Sequence, residues 1–358
     1  MKKRIVAFDY IRVLAMFCII VFHWNGFLQL VKVQTQSIFV MEFKSGNIAH
    51  IGVSLFFILS GASLMISNSN KLEIKSYLLK RFLSIYPLYW ITYIAIYISF
   101  YYIKNVPLPA PKKSLILSFL GMDGFLNYRC DAIYLIGEWF VGCIVIIYLL
   151  FPILYKCVNK YPVKTAIVTA VLFVLWVCFY PFEMEINRFP LTRLPEVMFG
   201  MYYVKYIHNF MVKNELRNTY LRIIGVISLI MFSIPLCVKI NIPVPYLNIW
   251  LGVSCFLTLV WIVTMLENRL ASVTPYISQI AKYSYALFLL HHIVMSDFIG
   301  YHSGLPMSMK RNYLIFFYYL IFIGIIGVAL SKISTLFVKL SSKILGRCYE
   351  KVCYYRSK

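Results

Sequence analysis

Residues 8–27 read FDYIRVLAMFCIIVFHWNGF, an apolar stretch interrupted by Asp9, Arg12 and His23. An α-helix turns about 100° per residue, so the eleven steps from Arg12 to His23 bring the two side chains to within roughly 20° of one face. The rise separates them by roughly 16 Å, about half of a bilayer core. Asp9 lies three residues before Arg12, where its carboxylate can pair with the guanidinium and hold it in one rotamer. A guanidinium suits phosphate binding, and an imidazole inside a membrane suits proton transfer or nucleophilic attack. The spacing thus divides binding and chemistry between the two ends of one helix.

Other ionisable or small residues also stand in apolar surroundings. KSYLLKRFLSIYPLYW supplies Lys80 and Arg81, which with Arg12 could form a phosphate-holding cluster; ordinary membrane anchoring explains the same charges. FFILSGASLMIS brings Ser60 and Gly61 together, which admits either a second helix or a thin ligand chain. Glu138 precedes Trp139 at an apolar boundary, as an interfacial carboxylate or as a functional one. His291 and His292 fall within SYALFLLHHIVM, where adjacent side chains diverge by about 100°, so one at most is expected to face a given cavity. His50 sits at a segment edge, while His208 and His302 carry little information. The nine cysteines form no CxxC pair and read as small apolar filler, so no metal site is expected.

The elements that must carry these residues are membrane helices. The chain is 61% hydrophobic and 13% charged, with a mean hydropathy of +0.77, too apolar for a soluble globule. Ten apolar spans are expected, at about 10–31, 48–67, 82–103, 137–155, 163–181, 192–208, 222–239, 247–266, 283–300 and 313–335. With the N-terminus inside, the inner segments carry 22 Lys and Arg against 11 in the outer loops, which places both termini in the cytoplasm. That distribution accounts for the net charge of +22 through the membrane and gives no reason to expect nucleic acid. MKKR before the first apolar run resembles a signal peptide, yet no small-residue cleavage site follows, so the run reads as a retained span. The loop at 104–132 is Pro-rich at its start and apolar beyond, as either an interfacial packing segment or a lid. No internal repeat is visible. The expectation is an all-α integral membrane protein, one bundle over 1–358 with a basic cytoplasmic tail at 338–358.

Together these residues carry a resemblance. Asp9, Arg12, Ala15 and His23 are similar to the D-x-x-R-x-x-A and Arg-x10-His patterns of the acyltransferase-3 family of membrane-bound O-acyltransferases. The resemblance continues through FFILSG, KRFLSIYP, EWFVGCIVIIYLLFP, Arg193 with the Phe-Gly pair at 199–200, and SYALFLLH at 284–291, so it covers nearly the whole chain. Ser84 stands where the family's basic loop often has a second Arg. Near the Trp139 span the chain has no Ser-x-x-x-Glu signature of the kind long family members often carry there, and no extracellular hydrolase-like domain is expected, which resembles the short branch associated with exopolysaccharide and surface-glycan modification.

The resemblance implies transfer of an acetyl or related short acyl group from cytoplasmic acyl-CoA to a sugar hydroxyl on the outer side of a bacterial cell membrane. It assigns donor binding to Arg12, Asp9, Lys80, Arg81 and Ser60, and catalysis to His23, with Trp139 and His291 as candidate donors to the oxyanion. Acyl-CoA is then a substrate and no permanently bound cofactor is expected; the partners are a polysaccharide or lipid-linked sugar and membrane lipid. The competing reading is a glycan-lipid transporter or flippase, or an accessory subunit of a polysaccharide export system. Transporters also place charge in mid-membrane, but they often show two related halves.

Overall fold

The computed structural model describes residues 5–134, 136–213 and 216–345, and these are helical with no named strand among them. In chain order the helices are α1 (Ala7–Leu30), α2 (Ile48–Ser67), α3 (Ile74–Tyr97), α4 (Leu115–Leu120), α5 (Glu138–Lys160), α6 (Pro162–Cys178), α7 (Leu194–Tyr202), α8 (Asn209–Lys213), α9 (Arg217–Cys237), α10 (Val244–Met265), α11 (Glu267–Leu270), α12 (Thr274–Ile299) and α13 (Met309–Leu345). Seven segments are long and apolar enough to cross a membrane: Ala7–Leu30, Ile48–Ser67, Ile74–Ile103, Glu138–Lys160, Arg217–Cys237, Val244–Met265 and Met309–Ser341. Helix also occupies the other three expected spans, but each departs from a simple span for a local reason. α6 has only 17 residues. α7 passes into π-helix at Tyr203–His208 before α8. α12 dilutes its apolar face with Lys282, three tyrosines and the His291–His292 pair.

The third helix begins at Ile74, eight residues before the expected start, because IKSYLLKRFL continues the helical pattern with good helix formers. Lys80 and Arg81 consequently lie on α3 and not in a connecting loop. Of the expected basic tail, residues 346–358 lie outside the described residues.

The chain divides into two compact units, one of residues up to 70 with 153–284 and 303–312, the other of 71–152 with 285–302 and 313 onward. In the first unit α2 packs against α1, α7 and α10, and α9 packs against α10. Small residues permit these approaches. A Cβ on Gly61 would collide with the carbonyl oxygen of Val197, and one on Gly200 with that of Ile58, so α2 and α7 cross backbone to backbone through a reciprocal glycine pair. Gly52 also lies close to α1, where a Cβ would stand 2.7 Å from the Ala15 oxygen. Of the two uses open to the Ser60–Gly61 pair, helix packing is the one this crossing fulfils.

In the second unit, the segment after the Pro-rich stretch is fastened to α3. Tyr86, Tyr89, Trp90 and Tyr93 recur along one side of α3 and donate in turn to Leu120 O (3.0 Å), Asp123 Oδ1 (3.2 Å), Phe119 O (2.8 Å) and Ser118 Oγ (2.7 Å). Asp123, 2% exposed, also accepts from Ser118 Oγ at 3.0 Å and from Gly124 N–H at 2.9 Å. Burial pushes its carboxyl above the usual range, against the pull of these hydrogen bonds. Gly121, at φ +69°, ends α4 in the left-handed cap that glycine adopts without strain. Four hydrogen bonds and the stacked Trp90–Phe119 rings suit a packed segment, the first of the two readings of this loop, better than a freely opening lid. Asp123→Ala is expected to cost about 1–3 kcal/mol, because Tyr89 loses its buried acceptor. Amide hydrogen exchange should rise across 112–126 in that variant and less in Asp123→Asn, which keeps one acceptor oxygen.

Candidate functional site

The candidate residues fall in both units. Asp9, Arg12, His23 and Ser60 belong to the first; Lys80, Arg81, Trp139 and His291 belong to the second. Each set is described within its own unit.

α1 runs unbroken from Ala7 to Leu30 with no proline, so Arg12 and His23 keep their phase along one helix. At its start Asp9 is 3% exposed, with Oδ1 3.7 Å from Arg12 Nη1 and Oδ2 accepting from Ser278 Oγ of α12 at 2.9 Å. Tyr10 adds a hydroxyl contact of 2.9 Å with Thr274 Oγ1. The expected i,i+3 pair therefore exists, and α12 anchors its carboxylate. Arg12 itself stays 30% exposed, so its guanidinium is held and accessible.

At the other end, His23 is half-buried and the next two residues are clamped. Trp24 is fully buried and donates from Nε1 to Asn312 Oδ1 at 2.9 Å, while Asn312 Nδ2 donates to Gln36 O at 3.1 Å. Asn25, 1% exposed, donates to Ile38 O at 2.8 Å and accepts from Ile38 N–H at 2.9 Å. The 31–40 loop is further tied to residues 304–307 through Gly304 N–H to Val31 O, Gln34 N–H to Leu305 O and Met307 N–H to Gln34 O. These bonds fix the backbone that carries His23, and the Phe22 ring meets its imidazole edge-on at 5.6 Å. Asn25 and Asn312 were not singled out by sequence; a buried amide after a candidate catalytic residue is the signal that could have found Asn25.

Ser60 returns its hydroxyl hydrogen to Phe56 O at 2.8 Å, a local helical bond. Arg193 and Glu196 form a buried ion pair, with side chains 4% and 0% exposed and Nη1 3.1 Å from Oε1. Arg193 Nε also donates to Asn187 O at 2.7 Å, its guanidinium lies 5.4 Å from the Phe57 ring centroid, and Asn248 Nδ2 of α10 donates to Asn187 Oδ1 at 3.1 Å. This pair joins α2, α7 and α10 into one framework.

In the second unit, Lys80 and Arg81 are half-buried on α3, with Arg81 Cζ 5.7 Å from the Tyr148 ring centroid. Trp139 is half-exposed at the second position of α5, its ring edge-on to Phe140. Before it, Glu138 begins α5 at φ +46°, a left-handed conformation that costs a non-glycine residue roughly 1–2 kcal/mol. Gly137 shares that conformation at φ +73°, and Gly124 sits where any Cβ would strike the Glu138 carbonyl oxygen. Packing therefore holds Glu138 in a sparsely populated state, as is typical of functional positions.

The imidazoles of His291 and His292 both approach that carboxylate, each Nε2 lying 3.8 Å from Glu138 Oε1. This departs from the expectation that at most one of the two faces a given cavity, because a single carboxylate oxygen lies within reach of both rings. His291 is 1% exposed, its Nδ1 lies 2.5 Å from Phe288 O, and its own carbonyl accepts from Tyr319 at 2.7 Å. A carbonyl only accepts, so Nδ1 carries a hydrogen and Nε2 is the nitrogen turned to Glu138. Glu138 and His292 thus join the candidate residues by geometry. In sequence, Glu138 is indistinguishable from an interfacial carboxylate.

Known proteins similar to this chain point to one family. A family model described as an acyltransferase domain matches residues 5–334. The acyltransferase MdmB of Streptomyces mycarofaciens is 29% identical over 121 residues, 33% of this chain and 31% of that protein, so the likeness spans about a third of either. No solved structure matches. With a match that takes in α1, the Glu138 cluster and most of α13, the chain belongs to the acyltransferase-3 family.

Proposed function

We propose that this protein is a membrane O-acyltransferase that moves an acetyl or other short acyl group from cytoplasmic acyl-CoA to a hydroxyl of a surface or exported glycan. The carrying observation is α1, which holds an anchored, accessible guanidinium near one end and an imidazole on clamped backbone near the other, in a chain matched by the acyltransferase family over 5–334. All ten helical segments, α12 and the shorter ones included, are taken to traverse a bacterial cytoplasmic membrane with both termini inside, following the positive-inside bias.

In this reading Arg12, held by Asp9, binds donor phosphate, with Lys80 and Arg81 as further cationic groups and Ser60 on the path of the pantetheine arm. His23 acts at the thioester by one of two routes. As a general base it takes the acceptor hydroxyl's proton while oxygen attacks the thioester carbon; the carbon–sulfur bond breaks and the proton passes to the CoA thiolate. As an acyl carrier its ring nitrogen displaces the thiolate first, the imidazole's proton leaving with the CoA thiol, then yields the acyl group to the hydroxyl oxygen as the hydroxyl's proton returns to the ring. Either route develops negative charge on the carbonyl oxygen; Trp139 is proposed as its donor, and His291 as a second one when Nε2 also carries a proton, because its Nδ1 hydrogen is already given to Phe288 O.

Arg12 lies roughly 16 Å along the helix from His23, so its loss should weaken donor binding and leave the chemical step largely intact. Arg12→Ala is expected to raise the KM for acyl-CoA about tenfold or more with a much smaller change in kcat, and Arg12→Lys to recover part of the loss. Initial rates over a donor concentration series test this; a fall in kcat alone would contradict the assignment.

A further inference from the structure

We propose that the groove between α5, α6 and α7 binds an anionic phospholipid, one acyl chain along α6 and the phosphate at Lys160 and Lys164. The groove has a volume of about 400 Å³ and takes Cys157 from α5, Tyr161 from the residue just before α6, and Lys164, Val168, Leu172 and Trp176 from α6. The α6 residues recur at four-residue steps along one side of the helix, and Lys164 to Trp176 spans roughly 18 Å. The cavity is consequently long and narrow. Val168 and Leu172 remain 55% and 49% exposed along it, so it opens sideways.

The wall is less polar than its composition suggests. Thr165 Oγ1 donates to Tyr161 O at 2.7 Å and Thr169 Oγ1 to Thr165 O at 2.8 Å, so neither hydroxyl hydrogen is left for a ligand. Along these two threonines an alkyl chain meets no unmet hydroxyl donor. At one end, by contrast, Lys160 Nζ and Lys164 Nζ lie 5.0 and 5.8 Å from the centroid of the same Tyr161 ring. Neither ammonium has a carboxylate partner among the described residues. Two cations beside one ring, at the mouth of a dry groove, complement a phosphate carrying a hydrocarbon tail. The turn from α5 into α6 beside the groove is fixed, because Tyr202 donates to Pro162 O at 2.6 Å and Lys205 Nζ to Val158 O at 3.0 Å. The positive-inside reading puts this end at the cytoplasmic leaflet, where anionic lipid faces basic segments.

The test is native mass spectrometry of the purified full-length protein with phosphatidylglycerol or phosphatidylcholine of equal chain length. The expected result is at least tenfold higher retention of phosphatidylglycerol, lost when Lys160→Gln and Lys164→Gln are combined. Val168→Trp, which fills the groove, should strip both lipids while the melting temperature holds. Equal retention of the two lipids by the wild type would overturn the proposal, as would a preference that survives the double lysine change. A Val168→Trp protein that keeps its phosphatidylglycerol would do the same. If lipid-free protein is a dimer that Val168→Trp splits, a second copy occupies the groove and the lipid assignment fails.

Discussion

His23→Ala is expected to lower kcat for acyl transfer by about 10²–10⁴-fold or more, the range that a positioned base supplies, with little change in donor affinity. The fold should survive, because the contacts that fix this end of α1 come from Trp24 and Asn25. His23→Gln, which keeps a hydrogen-bonding side chain but no titratable nitrogen, should be nearly as inactive. The two routes differ in one observable. With labelled acyl-CoA and no acceptor, a carrier holds an acyl-imidazole, so label stays on the protein after a rapid denaturing quench at neutral to mildly alkaline pH, is released by acid or hydroxylamine, and is absent from His23→Ala; a general base leaves the protein unlabelled. A His23→Ala enzyme with wild-type kcat would remove His23 from the chemistry altogether.

The second large effect concerns stability. Glu196→Ala leaves the Arg193 guanidinium buried without its carboxylate partner, and breaking a buried pair this way costs about 3–5 kcal/mol. The retained bond to Asn187 O offsets only part of that. The variant should melt at a clearly lower temperature in detergent and reach the membrane in smaller amount. Replacing both partners by apolar residues of similar volume, Arg193→Met with Glu196→Leu, removes two desolvation penalties at once and is expected to restore most of the loss. If the double variant is stable and active, the pair serves the framework of α2, α7 and α10; if it is stable and inactive, the pair also serves the reaction. A Glu196→Ala protein that melts like the wild type would contradict the framework role.

What was legible in sequence followed from periodicity and local spacing. The Asp9–Arg12 pair is an i,i+3 relation and needs no tertiary knowledge. The helices of the long apolar runs follow from composition, because in lipid a helix satisfies its own backbone. The start of α3 was misplaced because a charged segment can extend a membrane helix beyond the apolar window. The Glu138 cluster was illegible for a different reason. It depends on a left-handed residue after Gly137, on Gly124 lying against the Glu138 carbonyl, and on a tertiary approach that sets one carboxylate oxygen beside both His291 and His292, none of which leaves a spacing in the sequence. The same holds for Trp24 and Asn312, 288 positions apart, and for the tyrosine row that fastens 118–123 to α3. The reciprocal glycines at 61 and 200 were half legible: Ser60–Gly61 suggested a close approach, but not which helix makes it.

The central claim is that this chain consumes acyl-CoA, and the direct measurement is transfer of labelled acetyl from acetyl-CoA to glycan in inverted membrane vesicles containing the protein. The account predicts label in the glycan fraction, dependent on the protein and lost with His23→Ala at matched expression. Glycan that stays unlabelled in wild-type vesicles, while its export still requires the protein, would contradict the acyltransferase reading and favour transport.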